Sequence, residues 1–292
     1  MRNPVKKLFC FLLLAISCVS SWGGTLVQFR TSQGDIEVEL YDQDKPATVA
    51  NFLHYQKEGR FRNIFLHRCI PGFILQGGRY LTSNPQDLGF LTPETTLAWN
   101  TPFAPVTNEF SVGPRLSNAN WTLAMARIGG QTNSATSEWF FNLANNAFLD
   151  NVDGGFTVFG RVVRGTNVLG FFNTLAKNFG VIDMRNYVGN TGFGNVLSDL
   201  PVAYFGQAPP RINQLYYVDI TVLNVQVRLG ANRSREISWN SVAGRPNHVE
   251  FTTDFPPNWQ TLVTKTGTGA SLTVADSSTS SAKRFYRVRV EY

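Results

Sequence analysis

The stretch FLHRCIPGFILQGG, residues 65–78, sets Arg68 and Gln76 into an otherwise apolar run. On an alternating strand such a pair is either an outward polar face or the working end of a pocket for something apolar. The chemistry absent elsewhere narrows what that end could do. Of the three histidines, His54, His67 and His248, no two stand at a metal-ligand spacing. No nucleophile elbow, dinucleotide turn or P-loop occurs in the chain. His67, next to Arg68, is expected on the opposite face of the strand. Metal, phosphate and triad chemistry are therefore disfavoured.

What remains is a site of arginine, glutamine and aromatics, without nucleophile, base or cofactor. Rotating an X–Pro amide needs only that, because no bond breaks and the barrier, roughly 18–20 kcal/mol, is lost resonance. As the amide twists, the proline nitrogen gains a localised lone pair. A guanidinium aimed there stabilises the twisted form more than the planar one. Apolar side chains would seat the ring, and an amide would hold a substrate carbonyl.

These residues need elements to position them. TLVQFR and DIEVELY alternate around Ser32–Asp35, which predicts a hairpin with Val27, Phe29, Ile36, Val38 and Leu40 buried. KPATVANFLHYQKEGR predicts a helix from Pro46 to a stop at Gly59, with Val49, Phe52 and Leu53 on its apolar face. Strands are expected at 65–70 and 73–76, split by Pro71-Gly72, and again at 121–127, 138–144 and 156–163. Residues 165–175 space Val168, Leu169, Phe172 and Leu175 as a second helical face. Residues 215–229 read as one long alternating strand. That order is mainly antiparallel β with a few helices, not a wound βαβ sheet. Residues 79–120 and 176–214 look like irregular excursions. From about Ala231 short strands alternate with turn clusters, as in a separate small β module. Trp239, Trp259, Phe285 and Tyr286 are its expected core.

With 292 residues, 43% of them hydrophobic and only 16% charged, the chain can bury a large core. Residues 1–24 carry Arg2, Lys6 and Lys7, then an apolar run, then mostly small residues, the order of a secretory signal. Its removal lowers the formal net charge from +6 to +3, too mild to argue for nucleic acid or a membrane surface. No stable membrane insertion is expected afterwards, and an exported protein, periplasmic or extracellular, is the expectation. Cys10 and Cys18 leave with the signal, so Cys69 has no internal disulfide partner and is expected to be buried as an apolar residue.

Three separated blocks carry a family resemblance. KPATVANFLHYQKEGRFRNIFLHRCIPGFILQGG, MARIGGQTNSATSEWFFNLANNAFLD and FTVFGRVVRGTNVL resemble the cyclophilin-type peptidyl-prolyl isomerases, in their bacterial branch. The resemblance covers roughly residues 25–228 and implies an eight-stranded antiparallel barrel capped by two helices, with insertions near 79–120 and 176–214. The module over 231–292 resembles C-terminal β modules of exported bacterial proteins, and its partner is unknown. The resemblance also implies activity on proline-containing polypeptides without a cofactor. It puts Arg68 at the catalytic position and Phe73, Met125, Phe140 and Leu149 on a proline pocket. It places Ile74 at the pocket edge, Gln76 on the substrate backbone, and Ala126 and Arg127 along the groove. Glu138 stands where the family usually has glutamine, and it would either hold Arg68 in place or draw it from substrate. Phe148 replaces a tryptophan and Phe156 a rim histidine. The remodelled loop after Gly78 keeps open a rival reading, a catalytically weak adaptor that binds proline peptides in the same groove.

Overall fold

The computed structural model describes residues 24–290 except 93–97, 100, 178, 205, 207, 224, 231–233, 242–243, 245, 255–256, 269 and 279–282. The N-terminal segment read as a signal thus lies, apart from Gly24, outside the described residues. The expected hairpin is present as β1 (Leu26–Thr31) and β2 (Gly34–Leu40), paired from Leu26↔Glu39 to Thr31↔Gly34. β3 (Arg68–Ile70) and β4 (Ile74–Gly77) follow helix α1 (Pro46–Lys57). Then come β5 (Thr122–Met125), β6 (Trp139–Asn142), β7 (Val158–Arg164), helix α2 (Thr166–Asn173) and β8 (Asp219–Leu223). These eight strands form one sheet in the order β8-β1-β2-β7-β5-β6-β4-β3, antiparallel throughout. Its two edges meet just ahead of β3 and β8. Leu66 N–H donates to Tyr216 O at 2.9 Å and Val218 N–H to Ile64 O at 3.0 Å, so the sheet closes into a barrel.

The interior follows from the alternation. Val27, Phe29, Ile36, Val38 and Leu40 are all buried in the principal core with Leu75, Leu123 and Phe141. α1 adds Val49, Phe52 and Tyr55, and α2 adds Val168, Leu169 and Phe172. Cys69 joins them fully buried, its thiol donating to Phe172 O at 3.4 Å. Burial, and next the charge of Asp199, push that thiol up to about 12.

The two excursions build one structure. Tyr80 and Leu91 from the first pack with Ile182, Met184, Leu197, Leu200, Val202 and Ile212 from the second, around Phe65. Leu91 N–H donates to Pro210 O at 2.7 Å, and Ile212 N–H to Gly89 O at 3.0 Å. This second core sits on the β3 edge, where Cys69 N–H donates to Asp199 O at 2.7 Å.

The long strand expected over 215–229 is two strands. Asp219–Leu223 pairs with β1, whereas Val225–Leu229 pairs with Arg235–Asn240 in a three-stranded sheet completed by Ser271–Asp276. The small module's first strand therefore starts upstream of Ala231. A second three-stranded sheet, Gln260–Thr266, Pro246–Thr252 and Phe285–Val290, faces the same core of Ile237, Trp239, Val249 and Val288. Of the four aromatics expected inside, Trp239 is buried with its indole N–H on Asn247 Oδ1 at 3.0 Å, and Tyr286 packs against it. Phe285 is exposed, and half-buried Trp259 lies under the Arg287 guanidinium at 4.4 Å.

Candidate active site

Strand register assembles the site. Residues directly opposite in neighbouring strands project from the same face. Arg68 faces Gln76, Gln76 faces Phe140, Phe140 faces Ala124, and Ala124 faces Val158. One row on the outer face thus runs from a guanidinium through an amide to an apolar cluster, the candidate proline slot. Ile74, Ala124, Phe140, Leu149 and Val158 form the slot's buried floor, with Phe73, Ala126, Phe156, Leu116 and Tyr41 packed around it. Phe148, exposed, stacks on Phe73 with ring centroids 5.8 Å apart. Phe156 meets Phe140 edge-on at 6.0 Å. Arg127 lies over the Phe156 ring at 4.2 Å and donates to the carbonyls of Val152 and Asp153 at 2.9 and 3.1 Å, closing the groove's far side.

Met125 is the exception among the expected pocket residues. It is opposite Trp139, one step out of phase with Ala124 and Phe140, and packs in the barrel interior. It supports the slot from behind and does not line it. Ala126 lies past the end of β5, where its N–H donates to Glu138 O at 2.9 Å and the chain returns to the outer side.

Beneath the slot lies an amide network that the motif reading missed. Asn146 Nδ2 donates to Phe73 O and to Asn142 Oδ1, both at 2.8 Å. Asn142 Nδ2 donates to Thr122 Oγ1 at 2.9 Å, and Asn118 Nδ2 to Phe156 O at 3.1 Å and Asp150 Oδ1 at 2.8 Å. These buried asparagines fix Phe73, Phe156 and the turn bearing Phe148 and Leu149. The separation of Asn118 from Asn142 and Asn146 along the chain left no local signal of this convergence.

At the polar end, Glu138 pairs with Arg79 and Gln76 instead of Arg68. Gln76 Nε2 donates to Glu138 Oε2 at 2.8 Å, Arg79 to Oε1 at 2.7 Å, and His67 Nε2 lies 3.4 Å from Oε2. Burial alone would raise the Glu138 carboxyl, but His67 and Arg79 outweigh it and hold the group at about 2. Gly77 and Gly78 make room: a Cβ on Gly77 would lie 2.7 Å from the Trp139 ring, and Gly78, at φ +96°, would meet Ser137 O at 2.3 Å.

Arg68 is half-buried, and its guanidinium makes no hydrogen bond to protein among the described residues. Its charged neighbour is Asp199, with Nε to Oδ2 3.9 Å. A cavity of about 390 Å³ opens between Arg68, Gln76, Arg79 and Glu138 on the barrel and Asn195, Val196 and Ser198 of the second excursion. Its far wall had no signal in the sequence, because it is set by the packing of two excursions against each other. Among the described residues no cluster of His, Cys, Asp and Glu could hold a metal ion.

The family model for "Cyclophilin type peptidyl-prolyl cis-trans isomerase/CLD" matches residues 26–185. A peptidyl-prolyl cis-trans isomerase of Acinetobacter baylyi is 40% identical over 147 residues, 50% of this chain and 70% of that one. Peptidyl-prolyl cis-trans isomerase A of Dickeya dadantii is 42% identical over 146 residues, 49% of this chain and 68% of its own. Peptidyl-prolyl cis-trans isomerase B of Escherichia coli is 38% identical over 149 residues, 49% and 81% of the two chains. A solved cyclophilin-type isomerase of Cryptosporidium parvum aligns with a TM-score of 0.44 at 19% identity, over 68% of this chain and 98% of its own. The chain belongs to the cyclophilin-type peptidyl-prolyl cis-trans isomerases, enzymes that work without a cofactor.

Proposed function

We propose that this isomerase turns X–Pro bonds of exported polypeptides by aiming Arg68 at the twisting amide while the Phe73–Phe140–Leu149 slot seats the pyrrolidine ring. The observation that carries the mechanism is the row itself: a guanidinium without a hydrogen-bonding partner heads a line that ends in a buried apolar slot. Planar and twisted amides bind the slot alike, so ring burial lowers KM. The charge–lone pair contact grows only as nitrogen pyramidalises, so it lowers the barrier. A million-fold acceleration asks for roughly 8 kcal/mol. A charge-assisted contact at a desolvated amide, with Gln76 fixing the substrate backbone, is of the right order.

Export is supported by the pattern of residues 1–24. The adaptor reading has one observation on its side, the Asp199 carboxylate beside Arg68. Isomerisation of a short X–Pro peptide, followed by NMR exchange for the chain lacking residues 1–24 and for Arg68→Ala, separates the two. The mutant should be slower by about 10²–10³-fold while equally folded. A wild type that binds the peptide without accelerating it would make the protein an adaptor, and an unimpaired Arg68→Ala would remove Arg68 from the mechanism.

A further inference from the structure

Glutamine's two terminal atoms are nearly isosteric but opposite in hydrogen bonding: Oε1 only accepts and Nε2 only donates. A glutamine neighbour would leave the direction of the Gln76 amide open, because either amide can donate to the other. Glu138 does not. An ionised carboxylate only accepts, so it must face Nε2, and the bond is 2.8 Å. The strand order fixes where the other end goes. Glu138 precedes β6 on one side of β4, while Arg68 stands directly opposite Gln76 on β3, the other side. The Gln76 side-chain oxygen, Oε1, makes no hydrogen bond to protein among the described residues.

From this arrangement, which rests on Arg68 being the catalytic group, we infer that Glu138 is a positioning residue acting through Gln76. It sets the amide so that Oε1 faces the Arg68 side and receives the guanidinium as substrate binds. The second Nε2 hydrogen remains for a substrate carbonyl. Arg79 and His67 hold Glu138 in its acceptor-only form, with Arg79 on Oε1 at 2.7 Å. The substitution of Glu for the family's usual Gln is thus coupled to Arg79, and it opposes the pull of Asp199 on Arg68. The groups facing Glu138 are His67 at the head of β3, Gln76 on β4, and Arg79 and Tyr80 after it, with Arg68 across the cavity.

The test is the pH profile of peptide isomerisation in Arg79→Met, Glu138→Gln and their double variant, with Arg68→Ala as reference and thermal melts alongside. Wild type should be flat from about pH 8 to about pH 4, because Glu138 stays ionised. Arg79→Met should develop an acid limb in that range, since protonated Glu138 becomes a donor and lets the Gln76 amide invert. The limb should vanish in the double variant, where residue 138 cannot titrate; a limb that survives there comes from another group and overturns the inference. Glu138→Gln should lose about tenfold in kcat with KM nearly unchanged, the value of one misdirected hydrogen bond. Full kcat in Glu138→Gln, or a flat profile in Arg79→Met, would likewise overturn the role of Glu138 while a slow Arg68→Ala leaves the mechanism standing. If Arg68→Ala is as fast as wild type, it is the underlying reading that fails.

Discussion

Lys45 is fully buried, and its ammonium donates to the carbonyls of Glu109, Val112 and Pro114 at 2.8, 2.5 and 2.9 Å, with Phe110 O a longer fourth contact at 3.4 Å. An ammonium has three protons, and these acceptors use them all. Glu109 reciprocates from the same excursion: its carboxylate accepts the first-turn N–H groups of Ala47 and Thr48 at 3.1 and 2.7 Å. α1 has no side-chain cap of its own, so its N-terminal donors are met by a residue some sixty positions downstream. Replacing Lys45 by Met keeps most of the stem and strips three charge-assisted hydrogen bonds. Each is worth about 1.5–3 kcal/mol, and no longer desolvating the ammonium returns several kcal/mol. The net expectation is a loss of about 3–5 kcal/mol, the usual result of removing one side of a buried charged cluster. Urea denaturation of the two proteins measures it, and amide exchange should locate the loss first at residues 109–116. Leu116 packs against the slot, so KM for the peptide should rise as well. A loss below about 1 kcal/mol with 109–116 still protected would refute the argument that Lys45 anchors the excursion.

Gly77→Ala would drive a methyl group to 2.7 Å from the buried Trp139 ring, and the resulting overpacking should cost about 1–3 kcal/mol and displace Gln76. A melting temperature equal to wild type would show that the ring has room to move. Acid stability should carry the mark of Glu138, whose carboxyl drops from 4.5 to about 2 on folding. A depressed carboxyl stabilises the fold fully above the unfolded value and loses that contribution as pH falls through about 2, here roughly 3 kcal/mol in all. The stability gap between wild type and Glu138→Gln should therefore be widest near neutral pH and close towards pH 2. A gap that does not change with pH would mean that the carboxylate is not stabilised by its partners.

Local pattern carried the barrel's scaffold. The hairpin pairs as its alternation predicts, and the turn at Pro71-Gly72 sets Arg68 directly across from Gln76. The same period-two rule, followed one residue further, excludes Met125 from the slot, because Ala124 is already there. The small module's first strand was hidden for a related reason. The alternation over 219–229 slips by one residue at the adjacent apolar pair Val222-Leu223, just before the pairing partner changes from β1 to Arg235–Asn240, and reading the run as one period passed over that slip. Lys45 and Asp199 were illegible because each acts on residues brought together only by the packed excursions, and Arg79 because it meets Glu138 across the β4–β6 pairing. Their sequence separations from their partners set no local pattern.

The excursions leave the slot's floor as the strands make it and rebuild what surrounds it. The first, held by Lys45, brings Leu116 to the apolar end. The second brings Asp199 to Arg68 and walls the cavity with Asn195, Val196 and Ser198. A short X–Pro dipeptide would touch only the slot and the row behind it. A longer substrate must also pass the new walls, so under the proposed mechanism discrimination among flanking residues would depend on the excursions and the turnover step on Arg68 and Gln76. The carboxylates then divide the work. Glu138 fixes the amide beside the guanidinium, and Asp199 draws on the guanidinium from the opposite edge. Arg68 is held between two opposed influences, with its N–H groups left for the substrate.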